Sequence, residues 1–392
     1  MSDWFAEQLD QLRARSLDRH LREISSPQGP IIEVSGKRLV NFSSNDYLGL
    51  ANDPRLREAA IAAVNEFGVG AGASRLISGT QSPHVQLETT MAKWKGAEAA
   101  LTFSSGYAAA VGTIPALVTT GDIIVLDKLC HASLIDGAKL SGATPRVFPH
   151  NHLGKLESHL QWAEREHPGK RVLIITESVF SMDGDRAPLR GIVELKKRFG
   201  ALLLLDEAHA VGVLGTSGRG LAAAEQLNQD IDVQMGTLSK ALGVSGGYIC
   251  GSRSLIEWLI NRARSFIYST APAPAITAAA RTAVEFLASP EGEKRREQLW
   301  RNIDILREAL SLKPESAILP WVIGDEKIAL ETAALLRAEG FFVPAIRYPT
   351  VAKASARLRI SVMAAHSEDQ IRGLCAAIVR LRSGSKREPI TA

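Results

Sequence analysis

Short apolar runs recur along the middle of the chain, and segments with helical spacing separate them. The runs predict buried strands at residues 113–118, 123–127, 145–148, 172–176, 202–206, 231–235 and 248–250. Strands that alternate with helices are typical of βαβ units, in which parallel strands carry helices on both faces of a sheet. The pattern therefore predicts an α/β fold built on a large, doubly wound, mostly parallel sheet.

The start of the chain has a different pattern. Residues 1–22 predict an amphipathic helix, because one face carries apolar side chains at Trp4, Phe5, Leu9, Leu12 and Leu17. The prolines and the glycine of residues 27–30 end that helix. Residues 31–34 and 38–42 then predict a small hairpin.

The last third of the chain predicts a second, smaller unit. The pattern is helical from residue 275 to 310, and strands at 318–322, 342–346 and 358–362 then interleave with helices at 325–339 and 367–381. We therefore expect four parts: an N-terminal helix and hairpin segment (1–50), a large domain (51–285), a small C-terminal α/β domain (286–382) and a polar tail (383–392).

Composition and charge narrow the functional classes. Of 392 residues, 45% are hydrophobic and 22% charged, as in ordinary soluble globular proteins. The net charge of +4 comes from basic residues spread along the chain, which argues against a nucleic-acid-binding arm. Three distant cysteines without a CxxC pair argue against zinc and against a disulfide framework. We find no secretory signal and no membrane-spanning run, and we expect a cytoplasmic protein.

Two neighbouring predicted strands are followed by residues whose side chains could take part in catalysis or ligand binding. The apolar run 201–205 leads into Asp206 and His209, and the next strand leads into Thr237 and Lys240. The carboxyl ends of such strands are where α/β sheets bind ligands. A buried lysine has a depressed pKa, and a buried carboxylate needs a cationic partner. Together they predict a pyridoxal-phosphate site, with Lys240 for the aldehyde, Asp206 for the ring nitrogen and Thr237 for the phosphate.

Each of these residues also has an ordinary structural interpretation. Asp206 could cap the next helix, and a lysine such as Lys240 is most often a surface charge. His131 follows a strand, where it could start a helix or stack on a flat ring. Arg359 alternates with apolar residues on a strand, where its guanidinium could face solvent or bind a carboxylate.

Three further patterns are weaker. Residues 103–106 open a helix whose backbone N–H groups could bind a phosphate. The glycine-rich segment 67–75 follows no clear strand, which argues against a dinucleotide-binding turn. His150 and His152 have no evident third ligand, so we favour a loop role over a metal site and expect no metal.

Six segments in combination resemble the α-oxoamine synthases, which are pyridoxal-phosphate enzymes of fold type I (aspartate-aminotransferase-like). They are residues 41–49, 73–79, 131–133, 177–185, 206–209 and 237–240. Segments 42–47, 239–243 and 345–350 are most similar to the biotin-pathway branch of that family. Two departures are His152, where the family often has Asp, and Val351-Ala-Lys353, where it often has Pro and Gly.

The resemblance implies a set of residue roles. Lys240, His131, Asp206 and His209 would be catalytic. Further cofactor contacts would be Gly106, Tyr107, Ser181, Thr237 and, from the partner subunit, Thr270. Substrate contacts would be Arg22 (or Arg19), Asn45, His131, Glu177, Thr350 and Arg359, with Arg359 binding the amino-acid carboxylate.

The resemblance also implies a reaction and an assembly. The reaction would be a decarboxylative condensation of L-alanine with pimeloyl-CoA or a pimeloyl-carrier protein, in a homodimer with active sites at the interface. The alternatives are glycine C-acetyltransferase or another α-oxoamine synthase, which would share the cofactor residues, and an aminotransferase or lyase on the same fold. A more distant alternative is a non-catalytic binding protein on this scaffold. No nucleic-acid or membrane partner is implied.

Overall fold

The computed structural model describes residues 3–14 and 17–384. Its α-helices are α1 (Trp4–Ala14), α2 (Pro54–Phe67), α3 (Ser82–Lys95), α4 (Gly106–Leu117), α5 (Ala132–Ser141), α6 (Leu153–Glu166), α7 (Leu189–Phe199), α8 (Leu221–Ala224), α9 (Arg253–Arg262), α10 (Arg264–Ile267), α11 (Pro274–Leu287), α12 (Pro290–Leu310), α13 (Glu326–Ala338) and α14 (Glu368–Gly384). Its strands are β1 (Ile31–Val34), β2 (Lys37–Asn41), β3 (Ala99–Phe103), β4 (Ile123–Asp127), β5 (Thr144–Phe148), β6 (Val172–Glu177), β7 (Leu202–Asp206), β8 (Val233–Thr237), β9 (Gly247–Gly251), β10 (Ile318–Gly324), β11 (Phe341–Phe342), β12 (Ala345–Ile346) and β13 (Ala356–Ser361).

A seven-stranded sheet forms the centre of the molecule, in the order β3-β9-β8-β7-β6-β4-β5. Strand β9 runs antiparallel to both of its neighbours, and the other neighbouring pairs are parallel. Successive leucines of β7 face opposite sides: Leu203 and Leu205 pack in one apolar cluster, and Leu204 packs in another. Both faces are therefore covered, and the predicted doubly wound α/β sheet is confirmed.

The two clusters also assign helices to faces. Helices α4, α5, α9 and α10 contribute side chains to the cluster that contains Leu204. Helices α3, α6, α7, α11 and α12 contribute to the cluster that contains Leu203. The sheet thus lies in the middle layer of three, with its carboxyl edge free to carry polar side chains.

One predicted strand is wrong, and one strand was missed. Residues 113–118 belong mainly to helix α4, which begins where the Ser105 side chain accepts a hydrogen bond from the N–H of Ala108. Because α4 is buried on most sides, it has no polar face, and a short apolar run in such a helix looks like a strand. The missed strand, β3, lies directly before α4.

The N-terminal helix is shorter than the predicted range 1–22. Helix α1 ends at Ala14, none of its side chains is buried, and the described residues 17–23 are not helical. Trp4 and Phe5 are exposed. The apolar face of α1 is therefore not buried in the described part of the chain, and burial does not stabilise a longer helix there. Residues 1, 2, 15 and 16, and residues 385–392 of the predicted tail, lie outside the described residues.

Two small sheets join distant parts of the chain. Strands β1 and β2 form the predicted hairpin, and β11 pairs with β2 in parallel. Strands β10 and β12 both pair antiparallel with β13. The predicted strand 342–346 is therefore two short strands in different sheets, separated by Pro344, which has no N–H to donate. The domain limits at 50, 285 and 382 stay a prediction.

A buried ion pair lies beneath the carboxyl edge of the central sheet. Lys95, at the end of α3, bonds to Glu207 and to the carbonyl oxygen of Arg219, and Lys95 and Glu207 are both almost fully buried. Glu207 also accepts a hydrogen bond from the N–H of Ala222. The pair therefore ties α3 to the loop that follows β7.

The cysteines form no disulfide in the described residues, and no helix there could span a membrane. The three cysteines are free and buried. In the described residues, every helix is too short or too polar to cross a bilayer.

We expect Lys95→Met to lower the free energy of unfolding by about 3–5 kcal/mol, because it leaves the Glu207 carboxylate buried without its cation. The double variant Lys95→Met/Glu207→Gln should recover most of that loss, since a glutamine carbonyl still accepts from Ala222. Urea unfolding of both variants beside the parent checks this. A double variant as unstable as the single one would contradict it.

Candidate active site

Acidic side chains and a lysine meet at the carboxyl edge of the central sheet. Glu177 at the end of β6 is the register partner of Asp206 at the end of β7, and Asp206 pairs with Met235 on β8. Beyond β8 the chain turns back, which brings Lys240 to the same edge. These residues line a cavity of about 220 Å³ together with Ser105, Gly106, Tyr107, His131, Ser133, Ala208, His209, Gly236, Thr237 and Ser239.

Burial and mutual charge perturb the three groups strongly. Burial and the neighbouring Asp206 carboxylate raise the pKa of Glu177 to about 8. Burial also raises the pKa of Asp206, against the opposing charge of Lys240. Burial lowers the pKa of Lys240 to about 8, although both carboxylates oppose the change. An amine that loses its proton near pH 8 can act as a nucleophile or as a base under mild conditions.

His209 lies between Lys240 and a tyrosine. Its Nε2 atom is 2.7 Å from the Lys240 Nζ atom, and its Nδ1 atom is 2.6 Å from the hydroxyl of Tyr47. Burial, and then the charge of Lys240, lower the pKa of His209 well below its usual value. The imidazole is therefore neutral at physiological pH, with one nitrogen that donates and one that accepts.

His131 lies at the mouth of the cavity, where it caps helix α5. Its backbone N–H donates to the Glu177 Oε1 atom at 2.5 Å, and its Nδ1 atom lies 2.8 Å from the hydroxyl of Ser133. Burial of the ring and the charge of Lys240 lower the pKa of His131. A neutral imidazole held in this way can lie against a flat ring in the cavity.

The opposite wall of the cavity is built to hold an anion. Helix α4 begins at Gly106, so the first backbone N–H groups of the helix face the cavity beside Thr237 and Ser239. The hydroxyls of Thr237 and Ser239 lie 2.8 Å apart. Gly247 on β9 lets that strand lie close to the start of α4, because a Cβ atom at this position would lie 2.4 Å from the carbonyl oxygen of Ser105. The amine, the carboxylate and this anion wall match the aldehyde, ring nitrogen and phosphate of pyridoxal phosphate.

Arg359 is buried on β13, not solvent-facing. Its guanidinium donates to the Ser181 carbonyl oxygen (2.6 Å), the Ser361 hydroxyl (2.8 Å) and the Asn45 Oδ1 atom (3.1 Å). A guanidinium has five N–H groups, so Arg359 keeps donors for a carboxylate. Ser181 does not line the cavity. It contacts Arg359 through its backbone carbonyl oxygen.

The remaining expected contacts lie away from the cavity in the single described chain. Arg19, Arg22 and Thr350 are exposed, and none of them lines it. Thr270 is exposed and forms a bridge with Ser74. The structure therefore brings most of the expected cofactor residues together around Lys240, but neither Ser181 nor these four.

Sequence reasoning missed Tyr47. This fully buried side chain contacts His209, which is 162 positions away along the chain. Tyr47 was quoted as part of segment 41–49, but no spacing predicts the contact, because it depends on how the hairpin segment packs on the sheet edge. Ser133 and Ser239, which also line the cavity, were not predicted either. They lie within two residues of His131 and Lys240 in the chain, and this proximity could have indicated them.

The two histidines near β5 form no metal site. His150 lies between Asp127 and Asp185, at 3.0 and 2.7 Å, and these carboxylates raise its pKa to about 10 against the effect of burial. His152 caps helix α6. Within residues 3–14 and 17–384 no group of potential ligands could hold a metal ion.

The sequence model of the family described as aminotransferase class I and II matches residues 37–378. The chain belongs to this family. Fold type I is thereby confirmed.

Curated relatives show which branch of this large family the chain resembles. An 8-amino-7-oxononanoate synthase of Geobacter sulfurreducens is 47% identical over 97% of this chain and 98% of its own length. A second, from Geobacter metallireducens, is 45% identical over 98% of this chain and 99% of its own. Within the aminotransferase class, the chain belongs to the same family as these synthases, and the resemblance to α-oxoamine synthases is confirmed.

Solved structures of similar fold support the same family. A serine palmitoyltransferase of S. paucimobilis, solved with a PLP compound, is 28% identical with a TM-score of 0.91, over 97% of each chain. An 8-amino-7-oxononanoate synthase of Francisella tularensis is 29% identical with a TM-score of 0.74, over 88% of this chain and 98% of its own.

The Lys240 amine should become reactive toward a small aldehyde, with reductive trapping, as pH rises through about 8, because only the deprotonated amine is nucleophilic. Asp206→Asn removes a negative charge that holds the proton on Lys240, so the midpoint should move to lower pH. Peptide mass spectrometry of the cofactor-free protein measures both, with exposed Lys139 as the internal reference. A parent midpoint near the ordinary lysine value of about 10.4 would contradict the assignment.

Proposed function

We propose that this protein is a pyridoxal-phosphate-dependent acyltransferase that condenses L-alanine with a pimeloyl thioester. The products would be 8-amino-7-oxononanoate, carbon dioxide and the free thiol. The observation that carries the proposal is the buried Lys240 amine held between Asp206 and His209, opposite the N-terminus of α4. The high identity to synthases of that name supports the choice of substrates.

Particular residues would hold the cofactor. Lys240 would bind its aldehyde, and Asp206 its ring nitrogen. The N–H groups at Gly106 and Tyr107 and the hydroxyl of Thr237 would hold its phosphate, with Thr270 of the partner subunit added at the interface. His131 would lie against the ring, with His209 and Ser181 at the phenolic oxygen. When bound, the cofactor would supply an electron sink for negative charge at the alanine Cα atom.

The chain's own groups would position alanine and move its proton. Arg359 would bind the carboxylate, and Asn45, which already accepts from Arg359 at 3.1 Å, would fix the guanidinium plane. Lys240, with a pKa of about 8, would take the Cα proton and later return it. Glu177, protonated below pH 8, would line the site without adding a second negative charge.

The acyl side would lie toward the exposed residues. The distal carboxylate of a pimeloyl group needs a cation or a hydroxyl, which Arg22 or Arg19 and Thr350 would supply. Lys353 lies over the ring of Tyr348, which is two residues before Thr350 in the chain, and adds a positive charge to that region. Either coenzyme A or a carrier protein would fit as the thiol.

We also propose a homodimer in the cytoplasm. Val69, Ile77 and Tyr268 are large exposed apolar side chains in the two segments that the Ser74–Thr270 bridge brings together. Clustered exposed apolar residues mark interaction surfaces. A partner packed there would place Thr270 beside the partner's phosphate wall, and three free cysteines suit a reducing compartment.

Free-thiol release should be fastest with L-alanine and pimeloyl-CoA or pimeloyl-carrier protein when alanine, glycine and serine are crossed with acetyl, succinyl, pimeloyl and palmitoyl thioesters. Lys240→Ala should show no release and no absorbance from a bound cofactor. Faster turnover of glycine with acetyl-CoA would instead indicate glycine C-acetyltransferase. Conversion of the cofactor to its amine form by alanine alone would indicate an aminotransferase.

Arg359→Ala should raise the KM for alanine roughly ten- to 150-fold and leave the KM for the thioester nearly unchanged, because a charge-assisted hydrogen bond contributes about 1.5–3 kcal/mol. Arg359→Lys serves as the control, since it keeps the charge but loses the planar fork, and should fall between the two. Steady-state kinetics with each substrate varied separately checks this. An effect on the thioester alone would place Arg359 on the acyl side.

A further inference from the structure

Four buried carboxyl groups lie at the carboxyl ends of three neighbouring strands of the central sheet. Asp127 ends β4, Glu177 ends β6, and Asp206 ends β7, where Glu207 follows it. All four side chains are almost fully buried. A carboxyl group at this depth either has a cation beside it or keeps its proton. The cations near the sheet edge therefore decide which of the four is neutral.

Two of these carboxylates have a cation in direct contact. The His150 Nδ1 atom lies 3.0 Å from Asp127 Oδ1, in an ion pair that also includes Asp185. Lys95 forms an ion pair with Glu207 and is itself almost fully buried. Both cations are thus used by groups other than Glu177.

The third cation, Lys240, acts more strongly on Asp206 than on Glu177. Of the two carboxylates, Asp206 has the larger effect on the Lys240 amine. At Glu177, burial raises the pKa to about 8, and the repulsion from Asp206 outweighs the attraction of Lys240. Glu177 therefore keeps a proton at neutral pH, because no cation is left to balance its charge.

Hydrogen bonding assigns that proton to one oxygen of Glu177. The backbone N–H of His131 donates to Glu177 Oε1 at 2.5 Å, so this oxygen is an acceptor. The described residues provide no hydrogen-bond partner for Oε2, although Glu177 lines the cavity. A protonated carboxyl group has one O–H donor, and the acceptor role of Oε1 leaves that donor on Oε2.

Loading of the cofactor would add no cation for Glu177. In the proposed site the ring nitrogen pairs with Asp206, and the phosphate and the phenolic oxygen bring negative charge. The free Lys240 ammonium, which attracts a Glu177 carboxylate, is lost when its nitrogen bonds to the aldehyde. Each change favours the protonated form of Glu177, so the donor persists in the loaded enzyme.

The substrate would bring an acceptor to the same cavity. The charge of Arg359, which we propose to bind the alanine carboxylate, acts on both Lys240 and His209. Its Nε atom donates to the carbonyl oxygen of Ser181, four residues after Glu177. A carboxylate bound by Arg359 is therefore close to Glu177, where an ionised side chain would repel it and a protonated one can donate to it.

We propose that Glu177 is a substrate-binding acid whose Oε2–H group donates a hydrogen bond to the alanine carboxylate, beside the Arg359 guanidinium. This role rests on the proposed function, because it takes alanine as the substrate. A glutamine at this position would offer a donor at every pH. Glu177 offers one only while it is protonated, so alanine binding should weaken as Glu177 ionises.

Infrared spectroscopy of the cofactor-free protein tests the protonation state, since the C=O band of a carboxylic acid is separate from the carboxylate bands. Below pH 8 the parent should show an acid band that Glu177→Gln lacks, and the band should disappear as pH rises through about 8. The matched control is Lys95→Met/Glu207→Gln, which replaces an equally buried glutamate that has a cation and should keep the band. Identical spectra of the parent and Glu177→Gln in this region would overturn the inference.

The pH dependence of alanine use tests the hydrogen bond. The kcat/KM for alanine, divided by its value in Glu177→Gln at the same pH, should fall at least about tenfold as Glu177 ionises. The same ratio for the thioester should stay constant. Both enzymes share the ionisation of alanine and of the groups that face Glu177, which are Asp127, Cys130, His131, Asp206 and Lys240.

The kinetic outcomes separate the inference from the proposed function. A constant ratio for alanine would overturn the inference, and so would a fall in the thioester ratio alone. Unchanged alanine kinetics with a shifted pH midpoint of the cofactor absorbance in Glu177→Gln would also overturn it, by placing the donor on the cofactor. A parent that does not turn over alanine would instead overturn the proposed function, whatever the infrared spectra show.

Discussion

The site depends on one buried edge where a lysine shares its surroundings with two carboxylates. Any one of Glu177, Asp206 and Lys240 alone at this depth would pay the full cost of desolvating a charge. Together, the lysine offsets one carboxylate, and the proton retained by Glu177 removes the second negative charge. The register of β6, β7 and β8 is what sets the spacing of these groups, so the sheet order itself determines the electrostatics.

A second layer of polar contacts holds Arg359 in place. Its Nε atom donates to the carbonyl of Ser181, and Ser181 lies in the turn that also contains Asp185. Asp185 is bound by His150, which the carboxylate of Asp127 contacts from the end of β4. The cationic imidazole of His150 therefore holds this turn against the central sheet. Because Ser181 lies in the turn, the contact also positions the guanidinium of Arg359.

Much of this could be predicted from sequence because it is local. A buried strand delivers its last residue to the sheet edge, which placed Asp206, Thr237 and the loop of Lys240 correctly beside one another. The helix at Gly106 was equally readable. The rest depended on packing. Helix α4 is buried on most sides and has no polar face, so its residues 113–118 resembled a strand. Pro344 divides a run of residues that looks like one continuous strand. The Tyr47–His209 contact joins segments that only the folded chain brings together.

The pairing of β2 with β11 has a consequence for how the chain is made. Val40 on β2 lies beside Phe341 on β11. Strand β2 pairs with β1 early in synthesis, but its second partner, β11, is made only when nearly the whole chain has been synthesised. Asn45 and Tyr47 follow that strand directly, and Arg359 comes later still. The central sheet can close while synthesis continues, since its strands all precede residue 252. The nascent protein would thus hold Lys240 and its carboxylates in place first, and position the residues that we propose to bind the substrate only at the end of synthesis.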